Sequence, residues 1–329
     1  MSLSGVNGAT PSDSSQEQDP MSAKSTADLH IVTSLMYHYF NKDDNCDKTQ
    51  ANAEISHLIS QWRELRSRLS DLHVRRLRDA AAAAGWENVA WKPRLSSEHR
   101  SHDQDQLLND YEQKAFQLDL HLPFLLDKAA IRHVTDAKLP PPSPGTMRSH
   151  KVRILASRAG EIDVEFAPQS TSSEVMPSLS AIVDNYSSCP FTLNIGSRTT
   201  SLVTMDTEPT FPSLVTRHKT TIRDPYNAAR ARAVPHIPPT ALPTEKEVLL
   251  FNAQDEIMEA SVSSVYFHRQ GRWVTPSTEC GGMQSVTKMY AVEEGWCVEG
   301  VVSRDTITSG ETVWLGNAVR GFFAGKIVI

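Results

Sequence analysis

The chain of 329 residues is short of several features that would assign it to a class directly. No uninterrupted apolar run approaches the ~18–20 residues needed to cross a bilayer, so nothing in it reads as a transmembrane helix. There is no cationic surplus: 33 Lys and Arg stand against 39 Asp and Glu, a formal net charge of −6. The basic stripe that usually accompanies nucleic-acid binding is therefore missing. Cysteines number four, Cys46, Cys189, Cys280 and Cys297, far apart and without a C-x-x-C pair, which leaves out the common zinc and redox motifs. Such sparse thiols suit a reducing compartment, and the cytoplasm is the expected location. No internal repeat is visible. Met1 to Thr26 is rich in Ser, Gln, Asp and Gly and reads as a disordered tail. It has neither the apolar centre of a signal peptide nor the Arg-rich pattern of a transit peptide.

What is present is an ordinary globular composition in a chain long enough for a sizeable core and about two domains. Leu29 to Tyr39 reads as a strand and Asn41 to Asp47 as a polar loop. Ala53 to Leu69 has Ile55, Leu58, Ile59, Trp62, Leu65 and Leu69 at the 3-4 spacing of an amphipathic helix. Asp71 can cap a second helix, which runs through Arg76 and an alanine stretch until Gly85. Ser96 to Asp105 reads as a charged loop, Gln106 to Phe116 as a helical stretch, and Phe124 to Lys138 as a helix stopped by the prolines from Pro140. Lys151 to Phe166 alternates around Arg158-Ala159-Gly160 as a hairpin, and Gln169 to Ser173 is a candidate crossing between domains. Val262 to Thr275 is a hairpin turning at Gln270-Gly271, and a helix is expected from Val286 to Glu294. The expected fold class is α/β in the mixed α+β sense. The expected division is a tail at 1–27, a smaller N-terminal α/β domain at 28–168, a linker at 169–178 and a second α/β domain at 179–329.

Two residues stand out for their chemistry. Lys219 lies in Arg217-His218-Lys219-Thr220-Thr221, and forty positions on Ile257-Met258-Glu259-Ala260-Ser261 interrupts a hairpin-like stretch. A reactive amine and a buried carboxylate are the pair that pyridoxal 5'-phosphate requires. The amine forms a Schiff base, and the carboxylate keeps the pyridine nitrogen protonated. Asp255 and Glu256 are neighbouring carboxylates better suited to a turn. Ser285-Val286-Thr287 opens an apparent helix, where amides and a hydroxyl can receive a phosphate or simply cap the helix. Cys280, before Gly281-Gly282, is either an exposed thiol or a small loop residue.

The ordered series goes further. His218-Lys219-Thr220-Thr221 with Arg223 and Tyr226-Asn227-Ala228-Ala229-Arg230, then Glu247 to Asn252, then Ile257 to Ser261, resembles the class IV aminotransferase family. These are pyridoxal-phosphate enzymes of fold type IV. Trp273-Val274-Thr275-Pro276, Gly295 to Val302 and Leu315-Gly316-Asn317-Ala318-Val319-Arg320-Gly321 continue the series, and within the family it is similar to the fungal aminodeoxychorismate lyases. The resemblance covers roughly residues 28 to 329 and is most specific after Arg217. Upstream it includes Leu29 to Leu35 as a first core strand, Leu72-His73-Val74-Arg75-Arg76-Leu77 as a helix, and Arg148 to Ala167 as an edge hairpin.

The resemblance implies a two-domain fold with the cofactor on the C-terminal part. It implies Lys219 as the Schiff-base lysine and acid/base, and Glu259 as partner of the ring nitrogen. Phosphate contacts are implied for Ser285, Val286, Thr287, Asn317 and Ala318, and for Arg76, with Arg75 and Arg78 as rivals and His73 and Leu77 setting the register. Ser285 replaces a glycine of the family phrase, Met36 stands where the first strand often ends in arginine, and Ser263-Ser264 replaces a common asparagine. His218 adjoins Lys219 but, on a strand, would face away from it. The implied activity is elimination of pyruvate from 4-amino-4-deoxychorismate to give 4-aminobenzoate. The alternative is transamination of branched-chain, D-amino acid or amine substrates. A small-molecule substrate and a homodimer are implied, with no nucleic acid and no membrane as partner.

Overall fold

The structure, a computed structural model, describes residues 29–40, 50–86, 89–93, 118–136, 147–167, 179–192, 194–195, 200–233 and 245–329. The expected tail at 1–27, the linker at 169–178, the loops at 41–47 and 96–105 and the helical stretch at 106–116 lie outside these residues. In chain order the elements are β1 (His30–Phe40), α1 (Gln50–Ala83), β2 (Lys92–Pro93), α2 (Leu118–Asp136), β3 (Met147–Ser157), β4 (Glu161–Phe166), α3 (Leu179–Ser187) and β5 (Ser201–Met205). There follow α4 (Leu214–Arg217), α5 (Asp224–Ala233), β6 (Lys246–Phe251), β7 (Ile257–Ala260), β8 (Ser264–Arg269), β9 (Arg272–Pro276), α6 (Val286–Glu293), β10 (Val298–Gly300), β11 (Thr312–Asn317) and β12 (Gly321–Ile327). The content is mixed α+β, as the sequence led us to expect.

Helix α1 corrects one expectation. No glycine or proline interrupts Gln50 to Ala83, so the two helices expected on either side of Asp71 are a single 34-residue helix. Ser70 returns its hydroxyl to the Arg66 carbonyl at 2.8 Å, a mid-helix bond rather than a cap. The helix ends where Gly85 takes φ 71, open to glycine without a Cβ penalty. Helix α2 begins at Leu118 rather than Phe124 and runs through Pro123, which forgoes only its own bond to the preceding turn.

Four strands form a small sheet in the order β1-β3-β4-β2, and eight form a large one in the order β10-β9-β8-β11-β12-β5-β6-β7. In the large sheet, β7 and β8 are separated by β11, β12, β5 and β6, yet only residues 261–263 connect them. Laid flat, those strands would stand about 24 Å apart. The connection reaches roughly 14 Å at most. The sheet therefore curls back on itself, and Val203, Leu249, Phe251, Ile257, Val265, Val313 and Leu315 fill the concave side. The β8–β9 hairpin turns where expected, with Gln270 and Gly271 both at positive φ (51 and 79), the geometry of a tight two-residue turn.

Helix α1 belongs to both sheets. Its Val74, Leu77, Ala80 and Ala81 pack with Leu122, Leu126, Val152 and Ile154 of the small sheet and α2. Leu72, with Leu65 and Leu69, joins Trp314 and Phe322 of the large one together with Tyr186 of α3 and Tyr290 of α6. Outside that seam Arg68 pairs with Glu294 and Arg75 with Glu293, and the Arg68 guanidinium lies 4.5 Å over the Tyr290 ring.

On the small sheet His38 is buried between β3 and α1. Its Nδ1 is 2.6 Å from Ser149 Oγ and its ring meets Trp62 edge-on. Burial, with Arg66 nearby, pushes its pKa down to about 4. A folded value below the unfolded 6.5 means that protons favour unfolding. The contribution is complete above pH 6.5 and is lost as pH falls toward 4, roughly 3 kcal/mol in all. We predict that the urea midpoint declines over that window, and that His38→Asn shows a shallower decline than the parent chain. Parallel curves would contradict it.

Candidate active site

Lys219 is placed by backbone bonds. Helix α4 starts at Ser213, whose N–H donates to Thr216 Oγ1 at 2.9 Å, and ends at His218 with the chain turning extended. The next three residues run along the outer edge of β1. Val32 N–H donates to the Lys219 carbonyl at 2.8 Å, Thr220 bridges Ile31, and Thr221 N–H donates to the His30 carbonyl at 3.0 Å. His218 is thus the residue after a helix, not a strand residue, and is half-buried. Asp224-Pro225 then starts α5, proline suiting a first helical turn, and α5 carries Tyr226 inward.

Glu259 lies on β7, which pairs with β6 rather than interrupting a hairpin. Simple alternation from Ile257 would turn Glu259 toward the concave apolar side. A bulge prevents this. Phe251 pairs with Ile257 but Leu250 pairs with Glu259, so one extra residue on β7 sets both Met258 and Glu259 on the α5 side. There Tyr226 Oη donates to Glu259 Oε1 at 2.7 Å and the Met283 N–H donates at 3.1 Å. The second bond needs Gly282, because a Cβ there would sit 2.3 Å from the Met258 carbonyl oxygen. Burial raises the Glu259 pKa to about 7 against those two bonds and the charges of Lys219 and Lys288. Lys219 moves the other way, down to about 7, through burial and then the cations of Arg76 and Arg223, with Glu259 opposing.

Of the neighbouring arginines 75, 76 and 78 on α1, Arg75 and Arg78 are at the surface, the former paired with Glu293. Arg76 is 5% exposed; its Nη2 donates to Thr33 Oγ1 and its Nε has no hydrogen-bond partner. Burial lowers its pKa to about 10, which leaves it a cation at neutral pH.

The expected phosphate residues form a second cluster. Ser285 caps α6, accepting the Lys288 N–H at 3.1 Å. Its hydroxyl is also 2.6 Å from Ser264 Oγ and 3.1 Å from Thr287 Oγ1. The amides of Val286 and Thr287 are first-turn groups without partners inside the helix. Gly316 lets β11 approach this turn: a Cβ there would stand 3.1 Å from Thr287 Oγ1. The Asn317 side chain is committed to its own turn and to Ser263. It accepts from the amides of Val319 and Arg320 and donates to Ser263 Oγ at 3.0 Å. The Ala318 carbonyl accepts from Met36 N–H at 3.3 Å, on the same edge of β1 that carries Lys219. Met36 itself is half-buried.

Sequence reasoning did not assign roles to Tyr226, Thr33, His73 or the Met283 amide, nor to Glu247. The Glu247 carboxylate is buried and accepts from Ser261 Oγ, Ser263 Oγ and Val262 N–H, holding the turn after β7. The serines at 263–264 thus tie Glu247, Asn317 and Ser285 together. Cys280 is buried, not exposed.

A reactive amine, a buried carboxylate and two polar turns on a mixed α+β frame define a class. The chain belongs to the amino-transferase class IV family, whose profile matches residues 60–327. It is 34% identical over 87 residues to a Schizosaccharomyces pombe protein named putative aminodeoxychorismate lyase, covering 26% of this chain and 38% of that one. It is 29% identical over 196 residues to the aminodeoxychorismate lyase of Saccharomyces cerevisiae, covering 54% of this chain and 51% of that one. The chain thus spans about half or less of the length of these relatives. A branched-chain amino acid aminotransferase from Thermobaculum terrenum overlays at a TM-score of 0.48 and 15% identity, over 92% of this chain and 76% of that one, too loosely to bear on activity.

The family's enzymes depend on pyridoxal phosphate. The side chains here fit that group: an amine held near neutrality, a buried carboxylate, and a buried guanidinium with an N–H to spare. We predict that in the chain stripped of cofactor, alkylation of Lys219 rises with pH through a midpoint near 7. In Glu259→Gln the midpoint should fall, since the carboxylate's charge is one of the terms holding the proton on. Peptide mapping at several pH values reads this, and an ordinary lysine midpoint above 10 would refute it.

Proposed function

We propose that the chain is an aminodeoxychorismate lyase, converting 4-amino-4-deoxychorismate to 4-aminobenzoate and pyruvate. The observation that carries the reading is the pairing of Lys219, held near neutrality, with the buried Glu259, in a chain whose two yeast relatives bear that name. Pyridoxal phosphate, when bound, supplies an aldehyde that condenses with amines and a pyridinium ring that draws electrons from the amine-bearing carbon. Lys219 is the residue to bond that aldehyde carbon. Glu259, steadied by Tyr226 and the Met283 amide, is the residue to hold the ring nitrogen protonated. Arg76, Ser285, the amides of Val286 and Thr287 with the Thr287 hydroxyl, and the Asn317-Ala318 turn are the groups to hold the phosphate.

Neutral Lys219 takes the proton from the amine-bearing ring carbon. As that C–H bond breaks, the neighbouring C–O bond to the enolpyruvyl group opens, its electron pair leaves with oxygen as the enolate of pyruvate, and the ring becomes aromatic. The enolate takes up a proton at its methylene carbon, and the Lys219 ammonium gives its proton back to it or to water. Burial serves this step directly, because an amine with its pKa near 7 is available as a base at neutral pH without titrant.

We further read the chain as two domains meeting near 169–178, and as a homodimer of the cytoplasm acting on a small molecule. Among the described residues Cys189, Cys280 and Cys297 are unpaired, which suits a reducing compartment. Among the described residues no helix is long and apolar enough to cross a membrane.

Purified protein given 4-amino-4-deoxychorismate should yield 4-aminobenzoate and pyruvate in equal amounts. Transfer of the amino group to a keto acid without pyruvate would replace the lyase by a transaminase. Borohydride should fix the cofactor on Lys219, Lys219→Ala should abolish turnover, and Glu259→Gln should slow it about 10²-fold, the scale of a lost electrostatic group. Label on another lysine would overturn the assignment.

A further inference from the structure

A buried guanidinium that no carboxylate holds needs another partner to fix its plane. Among the described residues the side-chain partner of Arg76 is a hydroxyl, Thr33 Oγ1, which accepts from Nη2. Thr33 is fully buried on β1, opposite Ile154 of β3. The same oxygen lies 2.6 Å from His73 Nδ1. His73 is 3% exposed and precedes Arg76 by three positions on α1, so both stand on one helix face above Thr33.

The full burial of Thr33 favours one direction for the chain of bonds. A guanidinium only donates, so Thr33 Oγ1 accepts from it and keeps one proton to give. Among the described residues the other group at that oxygen is His73 Nδ1. Accepting from that ring as well would leave the hydroxyl proton buried without an acceptor, so the satisfied arrangement gives the proton to Nδ1. His73 therefore carries its own hydrogen on Nε2 and is neutral. A protonated ring would turn a donor on Thr33 and set a further cation beside Arg76 and Lys219. Burial, then those two cations, accordingly keep its pKa well below the usual histidine range.

We propose that Thr33 and neutral His73 are positioning residues that lock the Arg76 guanidinium, leaving its remaining N–H groups as the donors for a phosphoryl dianion. The proposal rests on the reading of Arg76 as a phosphate arginine, and it goes beyond it by naming what aims that arginine. The lock has a direction: His73 accepts, Thr33 relays and Arg76 donates, so each group's polarity is set by the next.

The test separates phosphate from aldehyde. Full-length protein freed of cofactor is titrated by absorbance with pyridoxal phosphate and with pyridoxal, which has the aldehyde but no phosphate. Thr33→Val should raise the dissociation constant for pyridoxal phosphate about tenfold and leave that for pyridoxal within twofold, and Thr33→Ser should restore both. Equal losses for the two ligands, or no loss, would overturn the proposal. Arg76→Ala is the control for the underlying reading: if it fails to discriminate the ligands, Arg76 is not a phosphate residue and the lock has no ligand to serve. Should Thr33→Val not accumulate in folded form, nitrogen NMR of the unaltered protein decides. A neutral His73 with its proton on Nε2 between pH 6 and 8 supports the relay, and a proton on Nδ1 or a charged ring excludes it.

Discussion

The outer edge of β1 decides where the chemistry sits. As an end strand of the small sheet it would present unpaired N–H and C=O groups, the usual invitation to unwanted pairing. Here that edge is covered by the chain itself. Residues 219–221 take the bonds at His30 and Val32, with Thr220 opposite Ile31, and the Ala318 carbonyl takes the one at Met36. The lysine and the 317–318 turn come from distant parts of the sequence, and one strand aligns both. Each such bond contributes only about 1 kcal/mol net, but leaving it unmade underneath packed side chains would cost more.

Dryness then sets the charges. Lys219 and Glu259 have their pKa values moved toward one another, the amine down and the acid up, because burial penalises both ionised forms. The cluster nevertheless keeps an excess of positive charge. Arg76 and Arg223 bear on Lys219, and Glu259 is the carboxylate that opposes them there. A cluster so charged favours an anion beside it, the inverse of a site built for a cation. Neutral His73 belongs to the same logic, because a histidine that could charge would add to the excess.

Local chemistry was legible in the sequence and long-range contact was not. The β8–β9 hairpin could be read because a Gln-Gly pair at its turn carries its own backbone preference. The burial of Arg76 rather than Arg75 or Arg78 follows from helix register, since His73 and Leu77 share its face. Asp71 misled for an instructive reason: it is a good cap by composition, but Leu72 beside it packs on Tyr290 and Trp314 more than two hundred residues away, and that packing keeps the helix whole. The side of β7 on which Glu259 stands could not be read at all. Counting in twos from Ile257 gives the apolar side, and only the extra residue in the pairing with β6 gives the other. Tyr226, Thr33 and the Met283 amide escaped in the same way, each acting across a gap in sequence that no local pattern spans.

Helix α1 has a consequence for motion. The small sheet and the large one are joined by a single rod packed into both. Swinging them apart would bare the Leu65, Leu69 and Leu72 face and strip the edge of β1. Those interfaces open together or not at all. Relative motion of the two sheets is therefore opposed by the apolar surface it would expose as well as by the backbone bonds it would break.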